Sequence, residues 1–301
     1  MKHPVKVAAF FLIFFLLIHS IGLYFVSVEA SKPLSVVLDA PQPVSGGWSI
    51  LYLLVGVGIG TGLILLLAKY GKKNIWKGWF TLATAVAIMY GLATVLPDVY
   101  AVAIGVTLAT LRLIKPNFVT HNLAELFMYG GIGLILAPLF SPVTALITFF
   151  AMSVYDAYAV WKSKHMITLA EFTKDANTFP GLSIGYNKQQ GSSQPIQEPE
   201  EVDNDTQPEN DIATEKTKKA TGILGGGDVL FPLLVANTVY LSLYPEYTAL
   251  FSFLVSFGVS ISAAVGLAYL FFKPTTAKYH PALPYIFAPV LLYTTTVLIF
   301  T

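Results

Sequence analysis

Nine stretches of this chain are apolar over a length that can cross a lipid bilayer. A hydrocarbon core about 30 Å thick needs roughly 17 to 25 apolar residues in a helix. The stretches cover residues 5–28, 48–68, 78–97, 98–114, 122–140, 142–161, 222–244, 247–272 and 281–300. Because backbone groups in lipid must be satisfied internally, each stretch is expected to be a helix. The sequence therefore predicts an all-α polytopic membrane protein with nine transmembrane helices.

Composition excludes several classes of function. The chain is 55% apolar and only 12% charged, and its net charge of +1 gives no electrostatic basis for binding nucleic acid. It has no cysteine, which excludes a thiolate metal site and a cysteine nucleophile. His121 and Glu125 lie four residues apart, but two ligands at the entrance of a span do not make a metal site. We predict neither a metal nor a cofactor.

The long polar segment in the second half divides the chain into three parts. Residues 1–161 carry transmembrane helices 1 to 6, residues 162–221 form a cytoplasmic connector, and residues 222–301 carry helices 7 to 9. Within the connector, residues 165–172 have enough apolar side chains to lie along the membrane surface. Residues 187–220 have almost nothing to bury and are predicted to be disordered.

Basic residues predict the orientation of the chain. Cytoplasmic loops are enriched in Lys and Arg. Among the loops that would lie on the other side, only one basic residue, Lys32, is found. The N-terminus is therefore predicted to be cytoplasmic and the C-terminus to lie outside. The first span resembles a signal peptide at residues 28–30, but its apolar stretch is long enough that we treat it as an anchor. The basic residues that flank the spans on the predicted cytoplasmic side are Lys2, Lys6, Lys69, Lys72, Lys73, Lys77, Arg112, Lys115, Lys162, Lys164, Lys216, Lys218, Lys219, Lys273 and Lys278.

An acid follows three glycines at the start of the seventh span. Gly225, Gly226 and Gly227 precede Asp228, and Pro232 follows four residues later. Glycine costs about 1 kcal/mol against alanine inside a helix, and proline lacks the N–H that would bond to the Asp228 carbonyl. An ionisable residue inside a membrane is costly and indicates function. We therefore expect the backbone here to be open or closely approached.

A second acid lies in the sixth span. Asp156 is six residues from Lys162, and Asp228 is nine residues from Lys219. At 1.5 Å per helical residue, the two acids lie about 9 and 13 Å from the lysines that flank their spans, and therefore at a similar depth from the same side of the membrane. The two spans run antiparallel, so the carboxyl groups can face each other. Two carboxyl groups close together in a low dielectric share one proton. In aspartic proteases such a pair activates water and polarises the amide carbonyl.

Matched acids in a membrane also serve ion transport, so a second function stays open. A transporter or cation leak would use Asp156 and Asp228 as an ion or proton site. Such proteins often contain an inverted repeat, and the first four spans hold no counterpart of either acid motif. Serine chemistry is not expected, because Gly181-Leu-Ser183-Ile-Gly185 matches a nucleophile elbow only by its letters and lies in the connector.

Two glycine clusters are interpreted as packing faces. Gly56, Gly58, Gly60 and Gly62 follow one another in the second span, and Gly130, Gly131 and Gly133 lie in the fifth. Small residues at this spacing allow helices to approach closely in membranes.

Three motifs resemble those of a known protease family. Tyr155-Asp156 in span six, Gly225-Gly226-Gly227-Asp228 in span seven and Pro281-Ala282-Leu283 at the start of span nine are similar to the signatures of the presenilin and signal peptide peptidase family of intramembrane aspartyl proteases. Many animal presenilins have leucine where this chain has Gly226. The order of the motifs and the number of spans extend the resemblance over the whole chain, and the orientation is presenilin-like.

The resemblance implies an intramembrane aspartic endopeptidase of the GxGD type. Asp156 and Asp228 would be the catalytic pair, supported by Tyr155, the three glycines and Pro281-Ala282-Leu283. Substrates would be transmembrane proteins or peptides, and the loosened backbone near Asp228 and the start of span nine would offer edges for strand addition by an unwound substrate. Small size indicates a microbial homologue that is an integral protein of the cell membrane. Animal presenilins use accessory subunits, and the sequence leaves subunits and oligomerisation open.

Overall fold

A computed structural model describes residues 5–31, 48–163, 172–173, 178–187, 219–272 and 281–301. These residues form nine α-helices and one antiparallel pair of β-strands. The helices are α1 (Val5–Ser31), α2 (Trp48–Lys69), α3 (Lys73–Ala93), α4 (Asp98–Ile114), α5 (Phe118–Leu136), α6 (Pro142–Tyr158), α7 (Gly226–Leu243), α8 (Ala249–Phe272) and α9 (Leu283–Phe300). The strands are β1 (Gly181–Asn187) and β2 (Lys219–Gly225).

Each predicted span overlaps one of these helices over most of its length, which confirms the all-α polytopic architecture. Eight of the helices described are long and apolar enough to cross a membrane. The exception is α4, whose 17 residues extend over about 25 Å. The number of nine crossings and the cytoplasmic N-terminus stay predictions.

The seventh helix begins later than the sequence indicates. We predict a span from residue 222, but residues 222–225 belong to β2, and α7 begins at Gly226. The strand forms because it pairs with β1, which lies about 40 residues upstream. A pairing between such distant segments leaves no sign in the local pattern of apolar residues. Residues 187, 219 and 220, predicted to be disordered, are also strand residues. The remainder of that disordered stretch and residues 165–171 of the predicted surface segment lie outside the described residues.

Side-chain caps fix where two of the helices start. Asn117 accepts a hydrogen bond from the Thr120 N–H at 2.8 Å, and the Thr120 hydroxyl bonds back to the Asn117 N–H at 3.2 Å. Ser141 and Thr144 form the same reciprocal pair before α6, where Pro142 occupies the first helical position. These capping boxes satisfy N–H groups that have no partner inside the helix.

Helix α7 lies at the centre of the helices that the structure describes. Twelve of its 18 residues are buried, and it packs against α1, α5, α6, α8 and α9. Its side chains are apolar on nearly all sides, as expected for a helix surrounded by others. The first turn of α7 is therefore held in place by several neighbours at once.

Candidate active site

Asp156 lies near the end of α6, one turn before the helix changes to a wider π-helical turn over Ala159–Ser163. The residue is 8% exposed. The Leu283 N–H donates a hydrogen bond to its Oδ2 atom at 3.3 Å, and the Ala282 N–H also interacts with the carboxylate. The start of α9 thus lies directly on the first of the two acids.

Asp228 is the third residue of α7, in the first turn after the strand β2. Gly225 is the N-cap and has an extended backbone, while Gly226 and Gly227 are the first two helical residues. One carboxylate oxygen of Asp228 lies against the Gly225 backbone. The glycines therefore form the junction between a strand and a helix, within the stretch for which the sequence predicts a span from residue 222.

The structure brings the two acids together. Helices α6 and α7 pack against each other, and the Asp228 carboxylate lies close enough to Asp156 for the two charges to interact. Helix α9 contacts both of these helices. Two acids, one of them bonded by backbone N–H groups, are the set that aspartic peptidase chemistry requires.

The side chains of the other residues predicted near the site pack against apolar neighbours. Pro281, Ala282 and Leu283 are all buried at the start of α9. Tyr155 is partly buried and packs against the hydrophobic core. Its position next to Asp156 points its side chain to a different side of α6 from the carboxylate.

Tyr129 of α5 is a site residue that sequence reasoning missed. Its ring is buried, and its hydroxyl lies against Gly226, within electrostatic reach of Glu125 and Asp228. A side chain at position 226 would overlap this hydroxyl. The Tyr129 hydroxyl thus leaves room only for glycine at position 226, and nothing in the spacing along the chain links the two positions.

A buried ion pair connects α4 and α5 near the site, and it too was missed. Arg112 and Glu125 are 3% and 0% exposed and bond to each other directly. Arg112 also donates to the Phe179 carbonyl at 2.9 Å and stacks over the Phe80 ring, 4.6 Å from its centre. Glu125 thus has a buried arginine as its charged partner. Among the described residues, no group of three or more His, Asp or Glu is arranged to hold a metal.

A cavity of about 620 Å³ lies between α3, α5 and the first turn of α7. Its walls are almost entirely apolar. Gly226, Gly227 and Leu230 line it from α7, while Trp79 and Met128 are among the residues that α3 and α5 contribute. The cavity therefore adjoins the glycines that precede Asp228.

Comparison with known proteins identifies the family. The sequence model of the family described as signal-peptide peptidase, presenilin aspartyl protease matches residues 8–300. The chain belongs to this family. Two solved structures titled as a presenilin family intramembrane aspartate protease have the same fold, and no curated protein sequence matches the chain.

The structural likeness to these presenilin-family proteases extends over nearly the whole chain. The structure in the C222 space group gives a TM-score of 0.65 at 15% identity, covering 98% of this chain and 99% of the other. The structure in the P2 space group gives 0.60 at 16% identity, covering 96% of each. Family and fold are those of an integral, multi-pass intramembrane aspartic protease. None of these findings favours the transporter alternative.

Proposed function

We propose that this family member is an intramembrane endopeptidase in which Asp156 and Asp228 activate water for attack on a peptide bond of a transmembrane substrate. The observation that carries the proposal is the convergence of these two acids from α6 and α7 beneath the start of α9. The sequence has no cysteine nucleophile and no His-Glu-x-x-His zinc motif, and its match to a serine nucleophile elbow, at Gly181 to Gly185, lies within β1.

Each acid has a distinct task in the proposed reaction. The ionised carboxylate takes a proton from water, and the resulting hydroxide bonds to the carbonyl carbon of the substrate. The protonated carboxyl gives its proton to the carbonyl oxygen, which forms a neutral tetrahedral intermediate. When the C–N bond breaks, the amide nitrogen takes the proton from the carboxyl that had received it from water and leaves as an amine. One hydroxyl of the intermediate gives its proton to the other carboxylate, so the second product is a carboxylic acid and the pair again shares one proton.

Backbone contacts hold the two carboxyl groups in place. The Leu283 and Ala282 N–H groups lie on Asp156, and the Gly225 backbone lies on Asp228. Orientation of this kind reduces the entropy that must be lost on reaching the transition state. It gives Ala282 and Leu283 a role through their N–H groups that does not depend on their side chains.

The pair of strands β1 and β2 offers one open edge for an unwound substrate. The Ser183 N–H and C=O bond to a side chain of α5, so they point away from β2. Residues that pair in an antiparallel ladder alternate between bonded and unbonded pairs. Ser183 pairs with Ile223, whose own N–H and C=O must therefore point outward from β2. The Ile223 side chain is 44% exposed.

A substrate strand added to β2 would lie beside the acids. Ile223 precedes Asp228 by only five residues, and β2 continues directly into the glycines. An α-helix keeps its carbonyl groups in internal bonds, so the substrate must unwind before attack, and pairing with β2 would replace the lost bonds. The apolar cavity beside Gly226 and Gly227 would accept side chains of the substrate.

The experiment that tests this function measures cleavage of a model transmembrane peptide by purified protein in detergent. Asp156→Ala and Asp228→Ala are each expected to reduce turnover by about 10²- to 10⁴-fold, the usual contribution of a general acid or base. Asp98→Ala is the matched control, since Asp98 also lies in the first turn of a helix but in α4, far from the acids in sequence. Thermal unfolding shows that each variant is folded.

Cleavage by either acid variant at the wild-type rate would overturn the proposal. If all proteins including wild type leave the peptide intact, ion flux into liposomes tests the transporter alternative. A flux that Asp156→Ala and Asp228→Ala abolish would then replace the proposed function.

A further inference from the structure

The first two turns of α5 contact the outer side of β1 through side chains instead of backbone. Asn122 is 1% exposed, and its side-chain amide makes two bonds to one residue of the strand. Its Nδ2 donates to the Ser183 carbonyl at 3.0 Å, and its Oδ1 accepts from the Ser183 N–H at 3.1 Å. A backbone strand at this position would make the same pair of bonds.

Two neighbouring side chains make the same pattern at Gly181. The Gly181 N–H donates to Glu125 Oε2 at 3.0 Å, and His121 Nε2 donates to the Gly181 carbonyl at 2.7 Å. Gly181 and Ser183 are two residues apart, so their polar groups face the same side of the strand. We name His121, Asn122 and Glu125 the α5 edge, because together they occupy the place of a third strand.

The α5 edge is anchored more firmly than a surface contact. Glu125 is fully buried in its ion pair with Arg112, which also bonds to the Phe179 carbonyl just before β1. Breaking a buried charged pair costs about 3 to 5 kcal/mol, so this network resists displacement. The strand β1 is therefore fixed to α4 and α5, which do not carry either acid.

The pairing of β1 with β2 connects the α5 edge to the candidate active site. Gly181 pairs with Gly225, and Gly225 is the residue against which the Asp228 carboxylate lies. Ser183 pairs with Ile223, the residue whose polar groups form the open edge of β2. The two residues of β1 that α5 holds, Gly181 and Ser183, thus lie opposite the two residues of β2 that the proposed reaction uses.

We infer that His121, Asn122 and Glu125 are positioning residues, which set the register of β1 and β2 and thereby select the substrate bond that reaches Asp156 and Asp228. This inference rests on the proposed function. A strand that slips by two residues keeps the same side chains on the same face, whereas a slip by one reverses them. Loosening the α5 edge therefore allows cleavage at bonds two residues from the wild-type site.

The test uses Asn122→Ala in the full-length protein, with Asn117→Ala as the matched control. Asn117 caps α5 and lies five residues from Asn122, but its bonds are with Thr120 and not with β1. His121→Phe is a second variant, which keeps an aromatic ring and removes the donor to Gly181. Two quantities are measured: hydrogen exchange of single amides, and the products of model-peptide cleavage identified by mass.

In Asn122→Ala we expect exchange of the Ser183 amide to rise at least about tenfold, since it loses its acceptor. We also expect new products from bonds two residues away from the wild-type site. His121→Phe should show the same products to a lesser extent, and Asn117→Ala should give the wild-type products. A merely structural role would lower the unfolding temperature and the rate but leave the products unchanged.

Two results would overturn the inference. The first is unchanged exchange of the Ser183 amide in Asn122→Ala. The second is wild-type products from Asn122→Ala and His121→Phe, at whatever rate, with the peptide cut normally by wild type. Failure of wild type itself to cut the peptide would instead overturn the proposed function and, with it, the selection of a bond by α5.

Discussion

Helices α2 and α5 contain similar glycine clusters but use them differently. A Cβ atom added at Gly131 of α5 would overlap the Ala87 carbonyl of α3, and one added at Gly133 would meet Asn237 of α7. A Cβ atom added at Gly58 of α2, or at any glycine of its cluster, would meet nothing within 4 Å. The predicted packing face is confirmed for α5 and is wrong for α2 among the residues that the structure describes.

The difference shows that a small residue has a packing role only where a neighbour uses the space. Helix α5 touches α1, α3 and α7, whereas α2 has one buried residue, Ser49, and makes few contacts with α3 and α6. The stretch around each glycine cluster is largely apolar, as a helix in lipid is permitted to be. Glycine spacing therefore indicates which helices can pack closely and leaves open which of them do.

The largest expected effect on this comparison comes from Gly131→Val. The added side chain would collide with backbone of α3, which cannot change rotamer to make room. We expect a loss of about 3 kcal/mol or more in the free energy of unfolding, the upper range for overpacked cores. Thermal unfolding in detergent measures it, and a stability equal to that of wild type would mean that α3 and α5 are not closely packed.

A smaller but more specific effect is expected at Gly226. In Gly226→Ala the new methyl group would overlap the Tyr129 hydroxyl, so we expect cleavage of the model peptide to fall about tenfold or more, equivalent to about 1.4 kcal/mol. Adding Tyr129→Phe removes the overlapping atom and should recover part of the activity. The cleavage rates of wild type, the two single variants and the double variant give the coupling energy between positions 226 and 129. Additive effects would show that the hydroxyl is not the cause of the loss.

Gly227→Ala should have a weaker effect than Gly226→Ala. The nearest atom to an added Cβ is in the Phe231 ring at 3.5 Å, an ordinary contact. We expect less than about a tenfold decrease in cleavage and a gain of up to about 1 kcal/mol in stability from the helix propensity of alanine. Parallel assays of the two glycine variants compare them, and a greater loss at Gly227 would contradict the assigned geometry.

The smallest effect is expected for Gly58→Val in α2, which is matched to Gly131→Val. No atom lies near the new side chain, so the unfolding free energy should change by less than about 0.5 kcal/mol. The same thermal unfolding assay applies. A loss comparable to that of Gly131→Val would show that α2 packs against something, such as a second copy of the chain.

The two acids and the start of α9 could be predicted because residues of these types are unusual in apolar spans. Asp156 and Asp228 are acids in apolar spans, and prolines and glycines in such segments need a reason. Tyr129, Arg112 and Asn122 give no comparable signal. An aromatic or polar residue near a span end is common, and its partner is decided by contacts between segments that are distant along the chain.

The sequence by itself determined that this protein is helical and crosses the membrane, because a backbone in lipid must bond internally and few structures allow it. It also marked the two acids, since a charge in lipid is too costly to be incidental. Only the tertiary structure decided that the glycines before Asp228 join a strand to a helix, that Gly226 makes room for Tyr129, and that α5 holds β1. Strand pairing and side-chain contact join residues far apart in the chain, and local periodicity carries no record of them.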